Sequence, residues 1–206
     1  MSKNVSKSER VRLILSAAEA LFLEHGYSGT SLHMLTAQAG GSRRTIYAEF
    51  GNKEGLFKAV IEQKTNDMAS ILSEFGDVLD PKNTLVKVCQ TFLKKMLQPD
   101  MLALFKLMLN TLPFIPDLGD KIYQNAIVKG TKPLAIYLSR LHEAGVININ
   151  NSLEASQLLL GMVKGPLHLH CLLDASFVPS EQQINGQVEQ AVDIFLNGIL
   201  TNQAKL

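Results

Sequence analysis

In the segment ERVRLILSAAEALFLEHGY, apolar residues return at Val11, Leu15, Ala18 and Phe22, with Ile14 and Leu21 beside them. That spacing draws one apolar stripe along a helix. Ser8 stands where an N-cap belongs, Glu9 falls in the first turn, and Gly26 is placed to end the helix in a left-handed turn. A shorter helix follows, capped by Thr30 or Ser31, with Leu32 and Leu35 facing inward and Ala39 leading into Gly40. The pair Gly40-Gly41 permits positive φ and stops that helix abruptly. Ser42 then caps a third helix at once, which Ile46 and Phe50, four apart, anchor to the first two. Two short helices joined by a tight glycine-containing turn form a helix-turn-helix.

Asn52 caps a fourth helix whose inward face is Leu56, Phe57, Val60 and Ile61, continued by Met68, Ile71, Leu72 and Phe75 to Gly76. A helix of that length links two parts of the chain, so a domain boundary is expected inside it near residue 66. Further helices begin at Asp80-Pro81, at Pro99 and at Asp117, the last with a kink or break at Gly130 and Pro133. Gly145 ends that stretch, VININ forms a short extended connector, and two helices close the chain, over about 152–175 and 180–202. No alternating run argues for a sheet. The fold class is all-α, with an N-terminal domain over 1–66 and a C-terminal helical domain over 67–206.

Composition narrows the class. Of 206 residues, 46% are apolar and 19% charged, which suits a chain with a sizeable core and argues against disorder. No apolar run approaches the roughly 18 residues of a membrane span, and the polar, basic N-terminus has no secretory pattern. Cys89 and Cys171 lack metal or redox spacing, and two lone thiols fit a cytoplasmic protein. The net charge of +1 hides an asymmetry: residues 1–66 carry nine Lys/Arg against six Asp/Glu, the remainder eleven against thirteen. The basic excess lies in an N-terminal arm (Lys3, Lys7, Arg10, Arg12) and in Arg43, Arg44 and Lys53.

Those last residues define the candidate chemistry. A recognition helix presents its N-terminal end to the major groove of double-stranded DNA. Arg43 and Arg44 there can bond bidentately to guanine, and Thr45 can touch a base edge or a thymine methyl. Tyr47, Ser31, Ser42 and Lys53 are placed for phosphate oxygens. An isolated Arg-Arg pair is more often a solvated surface feature. On a capped third helix beside a basic arm, the DNA reading outweighs that alternative.

Residues 10–61 resemble the N-terminal domain of the TetR family of bacterial transcriptional regulators. The matching positions are Phe22 and Gly26-Tyr27; Ser31, Leu35, Ala39, Gly40 and Ser42; Thr45-Ile46-Tyr47 with Phe50; and Asn52-Lys53-Glu54 with Leu56. The segment GMVKGPLHLHCLL resembles the penultimate helix of the AefR-like branch. Thr36, Gly41 and Arg44 depart from the usual pattern, and Glu49 replaces a common aromatic or histidine. A carboxylate at position 49 is repelled by phosphate unless Arg43, Lys53 or a neighbouring residue pairs with it, so no DNA role is carried to it. The resemblance implies a homodimeric repressor that binds a palindromic operator and is released by a small apolar effector, with signals passing along the fourth helix.

Two apolar groups fit that picture without being diagnostic. Phe92, Met96, Phe105, Met108 and Tyr123 can line an effector cavity or simply fill a core. Leu158, Met162 and Leu169 with Val188, Val192 and Phe195 give the last two helices apolar faces that serve either a monomer core or a dimer interface. His168 and His170, two apart, fall on different faces of a helix, so no metal site is expected. No catalytic triad, P-loop, dinucleotide fingerprint or paired carboxylates occur, and neither a catalytic residue nor a cofactor is expected. The rival reading is a small all-α carrier or enzyme for apolar molecules, which would need a polar catalytic cluster that the sequence lacks.

Overall fold

The computed structural model describes residues 6–40, 43–73 and 80–199. Gly41, Ser42, Phe75 and Gly76 fall outside the described residues. Ten α-helices are described: α1 (Lys7–Gly29), α2 (Leu32–Ala39), α3 (Arg43–Phe50), α4 (Lys53–Ile71), α5 (Pro81–Met96), α6 (Pro99–Thr111), α7 (Leu118–Ile122), α8 (Gly130–Glu143), α9 (Ser152–Leu173) and α10 (Glu181–Ile199). There is no strand among the described residues. The chain forms two compact units, one of residues 1–64 with 103–122, the other of 65–102 with 123–206. The first unit thus draws on the end of α6 and on α7 as well as on the front of the chain.

In the first unit, α1 begins earlier than the pattern suggests. Ser6, in extended conformation, is the N-cap: its Oγ accepts from the Glu9 amide at 3.1 Å, and Ser8 lies within the first turn. Ser6-Lys7-Ser8-Glu9 is an S-x-x-E sequence, the pattern that places a cap three residues before an acid. Gly26 breaks α1 at φ 72°, and a last irregular turn carries the chain to Thr30. The core gathers Ile14, Ala18, Leu21 and Phe22 of α1, Leu56, Phe57, Val60 and Ile61 of α4, and Leu104, Leu107, Ile115 and Leu118. Each helix of the helix-turn-helix contributes one fully enclosed residue, Leu35 from α2 and Ile46 from α3. Lys64 Nζ, 2.7 Å from Glu19 Oε1, adds a half-buried ion pair between α4 and α1.

The second unit packs α5, α8, α9 and α10 with the end of α4. Its core includes Met68, Leu85, Phe92, Leu134, Tyr137, Leu159, Val163, Val188, Val192 and Phe195. The expected break around Gly130 and Pro133 is a π-helical turn, Tyr123–Lys129, just before α8. Thr131 Oγ1 donates to the Ile127 carbonyl at 2.7 Å and satisfies one of the groups that the change of helix type displaces. The connector after Gly145 buries Ile147, and its Asn148 amide donates to Ile199 O at the end of α10 at 2.7 Å.

Inside α9 the helix kinks at Gly165 (φ 42°) and Pro166. Proline has no amide to give the Met162 carbonyl, which would normally accept from residue 166. Gln187 of α10 supplies the missing donor, its Nε2 lying 2.8 Å from Met162 O. A Cβ at position 165 would stand 2.5 Å from that same Nε2 and push the Gln187 side chain aside, and the positive φ itself favours glycine.

Candidate nucleic-acid interface

The helix-turn-helix is built from local signals. Ser31 caps α2, its Oγ accepting from the Met34 amide at 3.3 Å, and Gly40 closes α2 in the left-handed region at φ 66°. Thr30, the alternative cap, does something different. It is buried, and its hydroxyl lies 3.0 Å from Leu21 O and 2.8 Å from Gly26 O, tying the residue that follows α1 back to the helix on both sides of the break. Asn52 caps α4, its Oδ1 accepting from the Gly55 amide at 2.8 Å.

On α3, Ile46 is 1% exposed and Phe50 half-buried, which fixes the face turned to the core. Arg43, Arg44, Tyr47 and Ala48 are exposed, and Thr45 is half-buried. Both arginines thus stand exposed in the first turn of α3, and Tyr47 is exposed one turn on. Ser42, expected to cap α3, lies outside the described residues. Glu49, the one acid of α3, pairs with Lys7 of the N-terminal arm at 3.0 Å. Neither Arg43 nor Lys53 is the partner shown. Lys7 stood out in the sequence only as part of a basic arm. Nothing there tied it to position 49, since the pairing brings together residues 42 apart.

Lys53 is placed differently from the arginines. It is half-buried, and its Nζ donates to the Tyr27 carbonyl at 2.8 Å and to the Thr30 carbonyl at 2.9 Å. The ammonium also lies 4.5 Å from the centroid of the Tyr27 ring, whose edge packs on Phe57. Burial lowers the Lys53 pKa from its ordinary value.

The candidate effector residues divide between the units. Phe92 belongs to the core of the second unit and Met96 packs against it, while Tyr123 opens the π-helical turn and is half exposed. Phe105 and Met108 are half-buried residues of the first unit. Of the candidate interface residues, Leu158 and Leu169 are exposed (67% and 56%), whereas Val188, Val192 and Phe195 are enclosed by the unit's own packing and Met162 partly so. Leu173 and Ile194 are further exposed apolar residues on α9 and α10.

The remaining ionisable groups offer little chemistry. His168 is buried and His170 exposed, stacked on Phe177, so the two point apart as their spacing requires. Burial and the nearby Lys164 lower His168 to about 4, which keeps it neutral at physiological pH. Burial pushes the Cys89 thiol up to about 12 and raises that of Cys171. Among the described residues no cluster of His, Cys, Asp or Glu could hold a metal, and no helix is long and apolar enough to cross a membrane.

A pair of short helices, the second exposing two arginines, in a chain with a second helical unit, defines a helix-turn-helix protein of the all-α class. Residues 14–60 match the family model of bacterial regulatory proteins of the tetR family, and residues 83–198 match that of the AefR-like transcriptional repressor C-terminal domain. The chain belongs to the TetR family, a family of transcriptional regulators rather than enzymes. It is 41% identical over 63 residues to the repressor AcnR of Corynebacterium glutamicum, covering 31% of this chain and 34% of AcnR. To the repressor ComR of Escherichia coli it is 46% identical over 56 residues, 27% of either protein. The chain thus spans about a third or less of these relatives' length. The regulator YvkB of Bacillus subtilis is 25% identical over 203 residues, covering 90% of this chain and 95% of YvkB. Among solved structures, a TetR-family regulator from Mesorhizobium loti superposes with a TM-score of 0.81 at 23% identity, over 94% of this chain and 98% of that one. The flavonoid-responsive regulator FrrA gives the same TM-score at 25% identity, over 95% and 99%.

Proposed function

We propose that the protein is a ligand-responsive transcriptional repressor that binds a palindromic operator as a homodimer. The observation that carries this reading is the exposure of Arg43 and Arg44 together at the N-terminal end of α3, a helix anchored to the core by Ile46. Arg43 and Arg44 read guanines, Thr45 reads a neighbouring edge or methyl, and Tyr47 and Ser31 engage phosphates, with Ser42 at the head of α3 joining them. The repressor assignment follows the named activity of AcnR and ComR. Release by a small, largely apolar effector in the C-terminal unit follows the naming of FrrA as flavonoid-responsive. An effector favouring the protein's unbound state lowers DNA affinity by the same factor by which DNA lowers the effector's.

The test is selection of bound fragments from random duplex DNA, followed by titration of the selected site at several salt concentrations. The expected site is a palindrome with half-sites about one helical turn apart. Arg43→Ala should lose discrimination at particular base pairs by about 1–3 kcal/mol. Sequence-indifferent binding that disappears with salt would show charge alone at work and overturn the proposal.

A further inference from the structure

We infer that Lys53 is a positioning residue: its ammonium clips together the two ends of the helix-turn-helix and so holds α3 in its reading position. The inference rests on the proposal that α3 reads DNA. Lys53 and Thr30 are 23 residues apart, and the chain between them is the whole of α2, the turn and α3. One Nζ bonded to Tyr27 O and Thr30 O closes the base of that excursion. Leu35 and Ile46 are its fully enclosed anchors to the core.

Burial works against the charged form of Lys53, and the groups around it offset that cost. A cation in the first turn of a helix opposes the helix dipole, and Lys53 is the first residue of α4. What compensates is the other end of a helix. Tyr27 lies in the last turn of α1 and Thr30 is its C-cap, so both carbonyls stand where helical donors run out, and a lysine side chain is a suitable partner for them. The Tyr27 face adds a cation–π contact. The Thr30 hydroxyl bonds to Leu21 O and Gly26 O, which ties the residue whose carbonyl Lys53 meets to α1. The sequence expects Lys53 at a phosphate; two of its three ammonium donors are taken by carbonyls.

Lys53→Met and Lys53→Arg separate the two roles. Arginine binds phosphate at least as well as lysine, but its planar fork does not fit a site shaped for a compact ammonium. Hydrogen exchange of the free protein is compared across 31–50, and salt titrations compare the selected operator with a duplex mismatched at one base pair of each half-site. If Lys53 is the clip, both variants exchange faster across 31–50 than wild type while α9 and α10 are unchanged. Both also lose about tenfold or more in operator-to-mismatch ratio, the scale of a charge-assisted hydrogen bond. The slope of log K against log salt stays as in wild type. The inference is overturned if Lys53→Arg behaves as wild type and Lys53→Met flattens the slope by about 0.9 per protomer, the signature of one lost phosphate contact. It is equally overturned if the melting temperature falls but the ratio, read well below it, is retained. Should wild type select no site, the repressor proposal fails, and exchange across 31–50 still decides the clip. A Lys53→Met variant that does not fold leaves Lys53→Arg to carry the comparison.

Discussion

At the scale of single residues, buried polar groups set the conditions under which this chain is stable. Thr30 is 1% exposed and its hydroxyl serves two carbonyls. Thr30→Val keeps the shape and removes the hydroxyl donor that bonds to these carbonyls. A loss of roughly 1–3 kcal/mol is expected in urea unfolding. His168 adds a pH dependence. Its folded-state value, about 4, lies below the ordinary 6.5, so between these values the unfolded chain takes up a proton that the folded one refuses. Stability is therefore full above pH 6.5 and declines as pH falls towards 4, by at most about 1.4 kcal/mol per pH unit. His168→Gln should flatten that part of the profile in denaturant melts at pH 4.5, 5.5 and 7. An unchanged slope would assign the acid sensitivity to other groups.

At the scale of elements, the residues legible from sequence are those whose role is settled within a turn or two. Ser31, Gly40, Asn52, Leu35 and Ile46 act as the pattern implies, because caps and apolar faces are local. Ser6 rather than Ser8 is the first cap, and of the two serines only Ser6 has an acid, Glu9, three residues on. What was not legible is long-range: the Lys7–Glu49 pair, the Lys53 carbonyls, and Gln187 supplying the donor that Pro166 lacks. Nothing about a lysine or glutamine in its own helix announces a partner 20 or more residues away. The α9 kink yields a prediction of this kind. Gly165→Ala meets both an unfavourable φ and the Gln187 amide, at a cost of roughly 1–3 kcal/mol. Gln187→Ala removes the clash but exposes the unpaired Met162 carbonyl. The double variant should therefore cost less than the two single costs together, by 0.5 kcal/mol or more on the usual scale of coupled neighbours. Strict additivity would show that Gln187 does not meet position 165.

At the scale of the whole molecule, the sequence left α9 and α10 open to two uses, and burial separates their enclosed residues from their exposed ones. Val188 and Val192 are completely enclosed and Phe195 nearly so, which monomer packing alone explains. Leu158, Leu169 and Leu173 of α9, with Ile194 of α10, stay exposed, and on the proposal of a homodimer they are the surface a second copy would cover. A two-fold interface places each residue twice, so one charge introduced on it is felt at two symmetric points. Leu158→Glu and Leu169→Glu should each raise the dimer dissociation constant by about thirtyfold or more, the scale of a hot-spot residue, while leaving the monomer's melting temperature within a degree or two. Sedimentation at micromolar concentrations reads the first quantity, and thermal melting of the monomeric variants the second. Val192→Ala should do the reverse, lowering thermal stability through a core cavity with little change in association. If the glutamate variants remain dimers, the interface lies elsewhere. If they become monomers yet hold the selected palindrome with undiminished affinity, each α3 finds its half-site without help from a partner.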